Sequence, residues 1–404
     1  MNALRERVRG VVERDACSGC GLCAHLDGGL EMQLDARGYL RPVVVRPPTQ
    51  APDALQSFER ACPGMRVAAQ HPDGAERHPL LGSYFAVWEA WASDPELRHA
   101  GSSGGVLTAL NTWLLESGQA ARVTGAAADH DHPRRSVPVT ILTRAEAVAA
   151  AGSRYAPVAA LANTDAFLPG SAVTGKPCEA AAMRALPGAG SDESRPLLLS
   201  FFCAGTPSQK ATDRLLDDLG IAPDATVDEL RYRGNGWPGR FTARAGDVSV
   251  DADYEESWGS TLGPTTQWRC KVCPDGVGES ADIVAADSWA TDERGYPLFA
   301  EGAGVSALIA RTRRGLAVIE AAIDAGVIEV RPLSMADLAS AQPLQTARRR
   351  HLLARLWGSL LAGRRPPRFP GFSLVRIGLH GPRTFVNVLR GTHRRVRRAQ
   401  RDAR

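Results

Sequence analysis

The spacing of eight cysteines constrains this chain more than any other feature of its 404 residues. Cys17-Ser-Gly-Cys20-Gly-Leu-Cys23 sets three thiols at C-x2-C-x2-C spacing on a loop loosened by Gly19 and Gly21. Three thiolates so spaced can wrap one corner of an iron–sulfur cube, whose fourth ligand is commonly a distant Cys followed by Pro. Cys62-Pro63 supplies one. The glycines also let backbone N–H groups turn toward cluster sulfurs, where hydrogen bonds raise the reduction potential. The rival is a four-cysteine zinc knuckle, although zinc sites usually pair two short clips and a triple run is atypical of them.

The remaining thiols are Cys178, Cys203 and the clip Cys270-Lys-Val-Cys273. Cys178 and Cys203 each follow an apolar run of the buried-strand kind, Ser171–Gly175 and Leu197–Phe202. Parallel neighbouring strands would deliver both thiols to the carboxyl edge of a sheet, where α/β proteins place ligands. The clip then needs only to fold across that edge to complete a second four-cysteine site. Taken alone, this set suits zinc nearly as well as a cluster.

Composition sets the frame. Hydrophobic residues are 44% and charged residues 23%, ordinary for a globular protein. No apolar run reaches the ~18 residues of a spanning helix, and the N-terminus lacks the apolar core of a secretory signal. A cytoplasmic location is expected, where thiols stay reduced and disulfides are rare. Strand-like and helix-like segments alternate from Tyr84 onward, among them Val106–Glu116, Val123–Ala128, Ser208–Leu219 and Ile283–Ala286. Thr143 with Glu146 forms a capping-box signal. The pattern implies an α/β fold with a largely parallel sheet flanked by helices. It also carries an N-terminal ferredoxin-like iron–sulfur segment and a basic C-terminal tail.

Gly101-Ser-Ser-Gly-Gly105 stands directly before a helix. Such a loop makes an anion pocket, because glycines allow close backbone approach and the helix N-terminus offers free N–H groups. A plain turn would look the same. Gly175-Lys-Pro-Cys178 can likewise hold a phosphate through Lys176 or serve as a simple β-to-α turn.

Taken together, these segments resemble the coenzyme F-420 hydrogenase/dehydrogenase beta-subunit family, which includes 7-hydroxymethyl chlorophyll a reductase. The resemblance rests on Cys17–Cys23, Ser102-Ser-Gly-Gly-Val, Ser153-Arg-Tyr155, Gly175-Lys-Pro-Cys-Glu, Phe202-Cys203, Tyr232-Arg-Gly-Asn-Gly-Trp and Cys270–Cys273. It covers roughly residues 15–330. It implies FAD beside a [4Fe–4S] cluster held by Cys178, Cys203, Cys270 and Cys273. The chlorophyll-type arrangement adds a second cluster on the N-terminal set and a ferredoxin-like donor. By the same resemblance, Ser102, Ser103, Gly104 and Gly105 contact the flavin nucleotide, with Ser153, Arg154 and Tyr155 nearby. Gly175 and Lys176 are included, and the Lys176 charge would favour an anionic flavin. Asp287 and Trp289 are further candidates. The family usually has Lys at the position of Arg154.

The implied organisation is a cluster segment at 1–75, a flavin-binding part of the α/β domain at 80–165, and its continuation with the second cluster site at 166–345. A basic helical or disordered tail follows at 346–404. The expected activity passes electrons between a ferredoxin-like partner, two [4Fe–4S] clusters, FAD and a small-molecule or deazaflavin substrate. The alternatives are an electron-transfer subunit of a larger complex and a zinc-stabilised binding protein. No catalytic proton donor is identified, with His99 a candidate against an ordinary surface histidine.

Net charge is +4, yet residues 364–404 hold twelve Arg against the single acid Asp402, so the rest of the chain is net negative. Each Arg near an anionic lipid surface contributes about 1 kcal/mol. An anionic membrane surface, giving peripheral attachment at its inner face, or an acidic donor protein is therefore the expected partner of the tail. Nucleic acid fits less well, since no aromatic stacking platform accompanies the charges.

Overall fold

Both faces of the central sheet are apolar, and the alternation of side chains shows why. Leu197 and Leu199 point into one core with Ile283 and Leu308, while Leu198 points into a second with Val284 and Ile309. A strand covered on both faces reads as a continuous hydrophobic run, as these do. The computed structural model describes residues 2–49, 53–187, 195–288, 301–379 and 381–402.

The strands of this sheet are β1 (Ala86–Ala92), β2 (Arg122–Ala128), β3 (Ser136–Ile141), β4 (Ser171–Gly175), β5 (Leu197–Phe201), β6 (Ile283–Asp287), β7 (Ser306–Ala310) and β8 (Ile328–Pro332). Their spatial order is β8-β1-β7-β6-β5-β4-β2-β3. The central strands β2, β4, β5 and β6 are parallel to one another. Antiparallel pairings flank them, β3 on one side and β7, β1 and β8 on the other. The expected parallel sheet is thus present at the centre, and its edges make the sheet mixed. Strand direction depends on the length and path of connections, which local apolar pattern does not encode.

The 106–116 helix contributes Leu110 and Leu114 to the first core, and the 313–324 helix contributes Ile319. The opposite face takes the 177–185 helix, through Ala180, Ala182 and Met183, and Leu22 from the N-terminal segment. A smaller antiparallel sheet of Glu229–Arg231, Phe241–Ala245 and Val248–Ala252 packs with the 209–218 helix around Leu216, Tyr232 and Phe241.

The N-terminal segment is built from a helix at 3–13, a hairpin pairing 30–34 with 40–44, and a helix at 54–61 that stops at Cys62-Pro63. Leu4, Val8, Val11 and Phe58 form its core beside Cys23 and Cys62. It is fastened to the α/β body. The Leu161 N–H donates to the Cys20 carbonyl at 2.9 Å, and the Gln267 amide donates to the Ser18 carbonyl at 2.9 Å.

Residues 343–402 are helical over Pro343–Leu361, Leu374–Gly378 and Pro382–Asp402. Gly358 allows the first and last of these helices to touch, since a Cβ there would meet the Leu389 carbonyl oxygen at 2.5 Å. The connecting stretch is also held down: Phe372 is buried with Val67 and Ala181, and Arg364 pairs with Asp15 at 2.9 Å. No described helix is long and apolar enough to cross a membrane.

Leu308, in the middle of β7, is fully buried. Leu308→Ala should lower unfolding free energy by about 2–5 kcal/mol, seen as an earlier denaturant midpoint. Val248→Ala, at an exposed strand position, should stay within about 0.5 kcal/mol of the parent.

Candidate functional site

The candidate site occupies the carboxyl edge of the sheet. β4 ends at Gly175 with Cys178 just beyond, β5 ends at Phe201 before Cys203, and β6 ends at Asp287. These three strands are adjacent, spaced about 4.8 Å apart, so the two thiols and the carboxylate emerge side by side. β7 begins at the same edge, and the Ser306 hydroxyl accepts the Gly104 N–H at 3.0 Å. The glycine loop and the second cysteine set are therefore neighbours on one rim.

In the first cysteine set, Cys17, Cys20, Cys23 and Cys62 line one cavity together with Ser18 and Phe58. Gly21 is required there: its φ is +92°, and a Cβ would come within 2.4 Å of the Ala162 nitrogen. Burial pushes the Cys20 thiol up to about 11. Cys23 and Cys62 are pushed well up, again by burial first and then by the neighbouring thiols. Without metal these groups are thiols at neutral pH, and a bound metal would displace their protons.

In the second set, burial raises Cys178 well above its ordinary value, with Glu179 adding to the effect, and raises Cys203 to about 12, with Cys270 adding. The Thr206 N–H donates to Cys270 Sγ at 3.4 Å, and Cys273 Sγ donates to the Asp275 carbonyl at 3.3 Å. Cys178 lies within electrostatic range of Cys270 and also of Cys20, so the two sets adjoin. Among the described residues, no three His, Cys, Asp or Glu side chains converge closely enough to share a single metal ion.

Arg269 stands between the sets and is only 2% exposed. Its Nε and Nη2 donate to the Pro63 carbonyl at 3.1 and 2.9 Å, next to Cys62. Its guanidinium lies over the Phe369 ring at 5.4 Å. The ionisable groups that act on it are the thiols of Cys273, Cys178 and Cys270, and among the described residues no carboxylate forms an ion pair with it. A buried cation needs a counter-charge. A thiolate-ligated anionic centre on either side would supply one, so the donor set and its surroundings fit iron–sulfur clusters.

At the glycine loop, the Ser102 and Ser153 hydroxyls bond to each other at 2.8 Å, and Ser103 Oγ donates to the Val305 carbonyl at 2.8 Å. Among the described residues the N–H groups of Ser102, Ser103 and Gly105 have no acceptor. They stand at the N-terminus of the 106–116 helix, a placement that suits an anion. Buried Arg233 organises this side: it pairs with Asp287 at 2.8 Å, donates to Tyr155 Oη at 3.2 Å and to the Ser102 carbonyl, and packs over Trp237 and Tyr254. Ser102, Ser153, Tyr155 and Asp287 are thereby brought together.

Two expected flavin contacts are oriented otherwise. Lys176 Nζ donates to Glu179 Oε1 and to the Val158 carbonyl, each at 2.6 Å, which holds the 177–185 helix beside Cys178 rather than facing the glycine loop. Neighbouring Gly175 packs against Glu179 and accepts a bond from Ser200. Arg154 donates to Ser136 and to the Leu230 carbonyl and packs over Tyr232, which commits its guanidinium to the small sheet. His99 is exposed, and its carbonyl accepts the Gly236 N–H. Trp289 lies outside the described residues.

Sequence pattern does not single out Arg233, Arg269 or Glu179 as site residues. Each stands inside or beside a quoted motif, but Arg and Glu ordinarily read as surface. Gln345 and Arg348 carry no signal either, and both donate to the Cys203 carbonyl from the C-terminal helix.

The fold and site define an α/β protein with two adjoining cysteine sets and a glycine loop that opens a helix at the sheet edge. The N-terminal domain of the coenzyme F420 hydrogenase/dehydrogenase beta-subunit family matches residues 87–163, and the C-terminal domain of that family matches residues 170–336. The chain belongs to this family. Among curated proteins it is 26% identical over 262 residues to the coenzyme F420 hydrogenase subunit beta of Methanococcus voltae, covering 62% of this chain and 85% of that protein. It is 25% identical over 271 residues to the Methanosarcina barkeri counterpart, covering 63% and 84%. Among solved structures it resembles a chain of the F420-reducing [NiFe] hydrogenase complex from Methanosarcina barkeri, with a TM-score of 0.51 and 22% identity over 68% of this chain and 91% of that one. The second cysteine set lies within the matched family domains, and the first set lies before them.

The Lys176–Glu179 pair is buried between Cys20 and Cys178. Glu179→Gln strands a buried ammonium and should cost about 3–5 kcal/mol of stability in denaturant unfolding. Adding Lys176→Met should recover much of that loss, giving a strongly non-additive double-mutant cycle.

Proposed function

We propose that this chain is an iron–sulfur flavoprotein oxidoreductase that passes electrons between a ferredoxin-like partner and a hydride-accepting substrate. Cys17, Cys20, Cys23 and Cys62 would hold one [4Fe–4S] cluster, and Cys178, Cys203, Cys270 and Cys273 a second. FAD would lie against Ser102, Ser103, Gly104 and Gly105, near Ser153 and Tyr155. Such groups, when bound, join one-electron donors to hydride chemistry. The observation that carries the reading is buried Arg269, a cation whose ionisable neighbours are thiols of both quartets.

The chain's own residues have distinct tasks. Thiols in two sets would each cap a different iron, which suits quartets whose members are not gathered around one ion. The N–H groups of Ser102, Ser103 and Gly105 would hold the pyrophosphate at the start of the 106–116 helix. Arg233, fixed by Asp287, holds the Ser102 carbonyl and Tyr155 in register, and Trp237 and Tyr254 shield that hub from water. Lys176 and Glu179 fix the approach of Cys178 to Cys20.

The substrate would be a deazaflavin of the F420 type or another small hydride acceptor, a reading supported by the names of the relatives. A second reading is an electron-transfer subunit that works docked to a catalytic partner. Its support is that the similar solved chain belongs to a hydrogenase complex.

Two variants test the order of the centres. Cys20→Ala should keep its flavin but slow reduction of that flavin by a low-potential one-electron donor by about tenfold or more. Cys273→Ala should lose flavin as well, because the clip sits on the same sheet edge as the glycine loop. Equal flavin content and equal reduction rates in both variants would refute the arrangement.

A further inference from the structure

The helices of residues 343–402 lie beyond the matched family domains and present an outer surface that the electron-transfer reading does not use. Their inner faces are committed to the body. Arg348 donates to the Cys203 carbonyl, Arg355 donates to the Lys271 carbonyl at 3.0 Å, and Arg349 pairs with buried Glu279. The outer face is different in kind. Trp357 is 50% exposed, Leu360 50% and Leu361 62%, and their i, i+3 and i+4 spacing puts them on one side of the 343–361 helix. The Phe385 ring meets Trp357 edge-on at 5.7 Å, which brings the 382–402 helix and its exposed Val386 alongside.

Along that last helix, Arg383, Val386, Arg390, Arg394, Arg397 and Arg401 recur at spacings of three and four, and all are exposed. They form a basic row that starts beside the apolar patch. Arg395 on the same helix lies within electrostatic range of Lys271, which stands between the two cysteines of the clip. Residues 343–402 contain fifteen Arg, no Lys and one acid, Asp402, besides Arg404 beyond them. An exposed Trp and Leu cluster bordered by a row of Arg on a surface helix is the pattern of interfacial attachment. The apolar tips enter the headgroup boundary, and each guanidinium can engage phosphate oxygens in bidentate fashion. A bilayer carrying negative headgroups complements both halves of this surface.

We propose that the outer face of residues 343–402 docks this protein peripherally on an anionic lipid bilayer, with Trp357, Leu360 and Leu361 inserted and the 382–402 helix lying in the headgroup plane. Docking would set the Cys270–Cys273 clip one helix away from the membrane surface. The surface is independent of cofactor content, so it stands or falls separately from the redox reading.

The test is sedimentation of the full-length protein with vesicles of phosphatidylcholine alone and of phosphatidylcholine mixed with phosphatidylglycerol. Binding should appear only with the anionic vesicles and be released by high salt. Arg390→Glu combined with Arg397→Glu should weaken it by at least about tenfold. Leu360→Ser combined with Leu361→Ser should weaken it at unchanged charge. All four positions are exposed, so the variants should keep the parent's thermal midpoint. Sedimentation with neither vesicle, which would assign the surface to a protein partner, overturns the proposal. Equal binding to both vesicles overturns it too, as does indifference to the leucine pair, which would leave only unspecific charge adsorption.

Discussion

A guanidinium buried with no carboxylate partner among the described residues is the constraint on which the arrangement of this protein turns. Arg269 donates to the Pro63 carbonyl on one side and is surrounded by Cys178, Cys270 and Cys273 on the other. The N-terminal segment, the sheet edge and the clip meet at this cation. The surrounding contacts keep it there: Phe369 covers its face, Gln267 anchors the Ser18 carbonyl, and the 343–361 helix closes over Cys203. Burying such a charge is costly unless its neighbours are negative. A neutral thiol does not meet that need, whereas thiolates bound to metal do. Anionic clusters on the two quartets would resolve the imbalance.

Much of this is legible from residue pattern. Cysteine spacing alone partitions eight thiols into two quartets; the first four line one cavity, and Cys178 and Cys203 stand at the carboxyl edge of the sheet. The buried strands at 171–175, 197–201 and 283–287 announce themselves as short apolar runs, and Thr143 with Glu146 forms the capping box that its spacing implies. The hairpin strand Leu30–Leu34 does alternate apolar and polar residues as a half-buried strand does, but five residues are too few to stand out before the partner strand Leu40–Val44 is paired with it. The edge strand Ile328–Pro332 alternates as well, with Ile328 and Val330 against Glu329 and Arg331, but it is short and ends in Pro, so it does not stand out from the turn after the 313–324 helix.

Side-chain direction is harder still. Lys176 beside a glycine reads as a phosphate ligand, but Glu179 lies one helical turn away and captures it. Arg154 is drawn off by Ser136 and the Leu230 carbonyl, which belong to elements remote in sequence. Arg233 takes the organising role instead, since Asp287 is carried to it by β6. The C-terminal segment reads as a free tail because its Arg density masks the few residues that pack: Gly358, Phe372 and Val396. Those contacts turn a basic stretch into a roof over the second quartet.

The central claim is that both quartets bind iron–sulfur clusters, and metal analysis tests it most directly. Full-length protein purified without oxygen should contain about eight iron and eight acid-labile sulfides per chain. Its visible spectrum should show the broad sulfide-to-iron absorption together with flavin bands. Stoichiometric zinc in a colourless protein would contradict the account, and about four iron per chain would contradict it for one quartet.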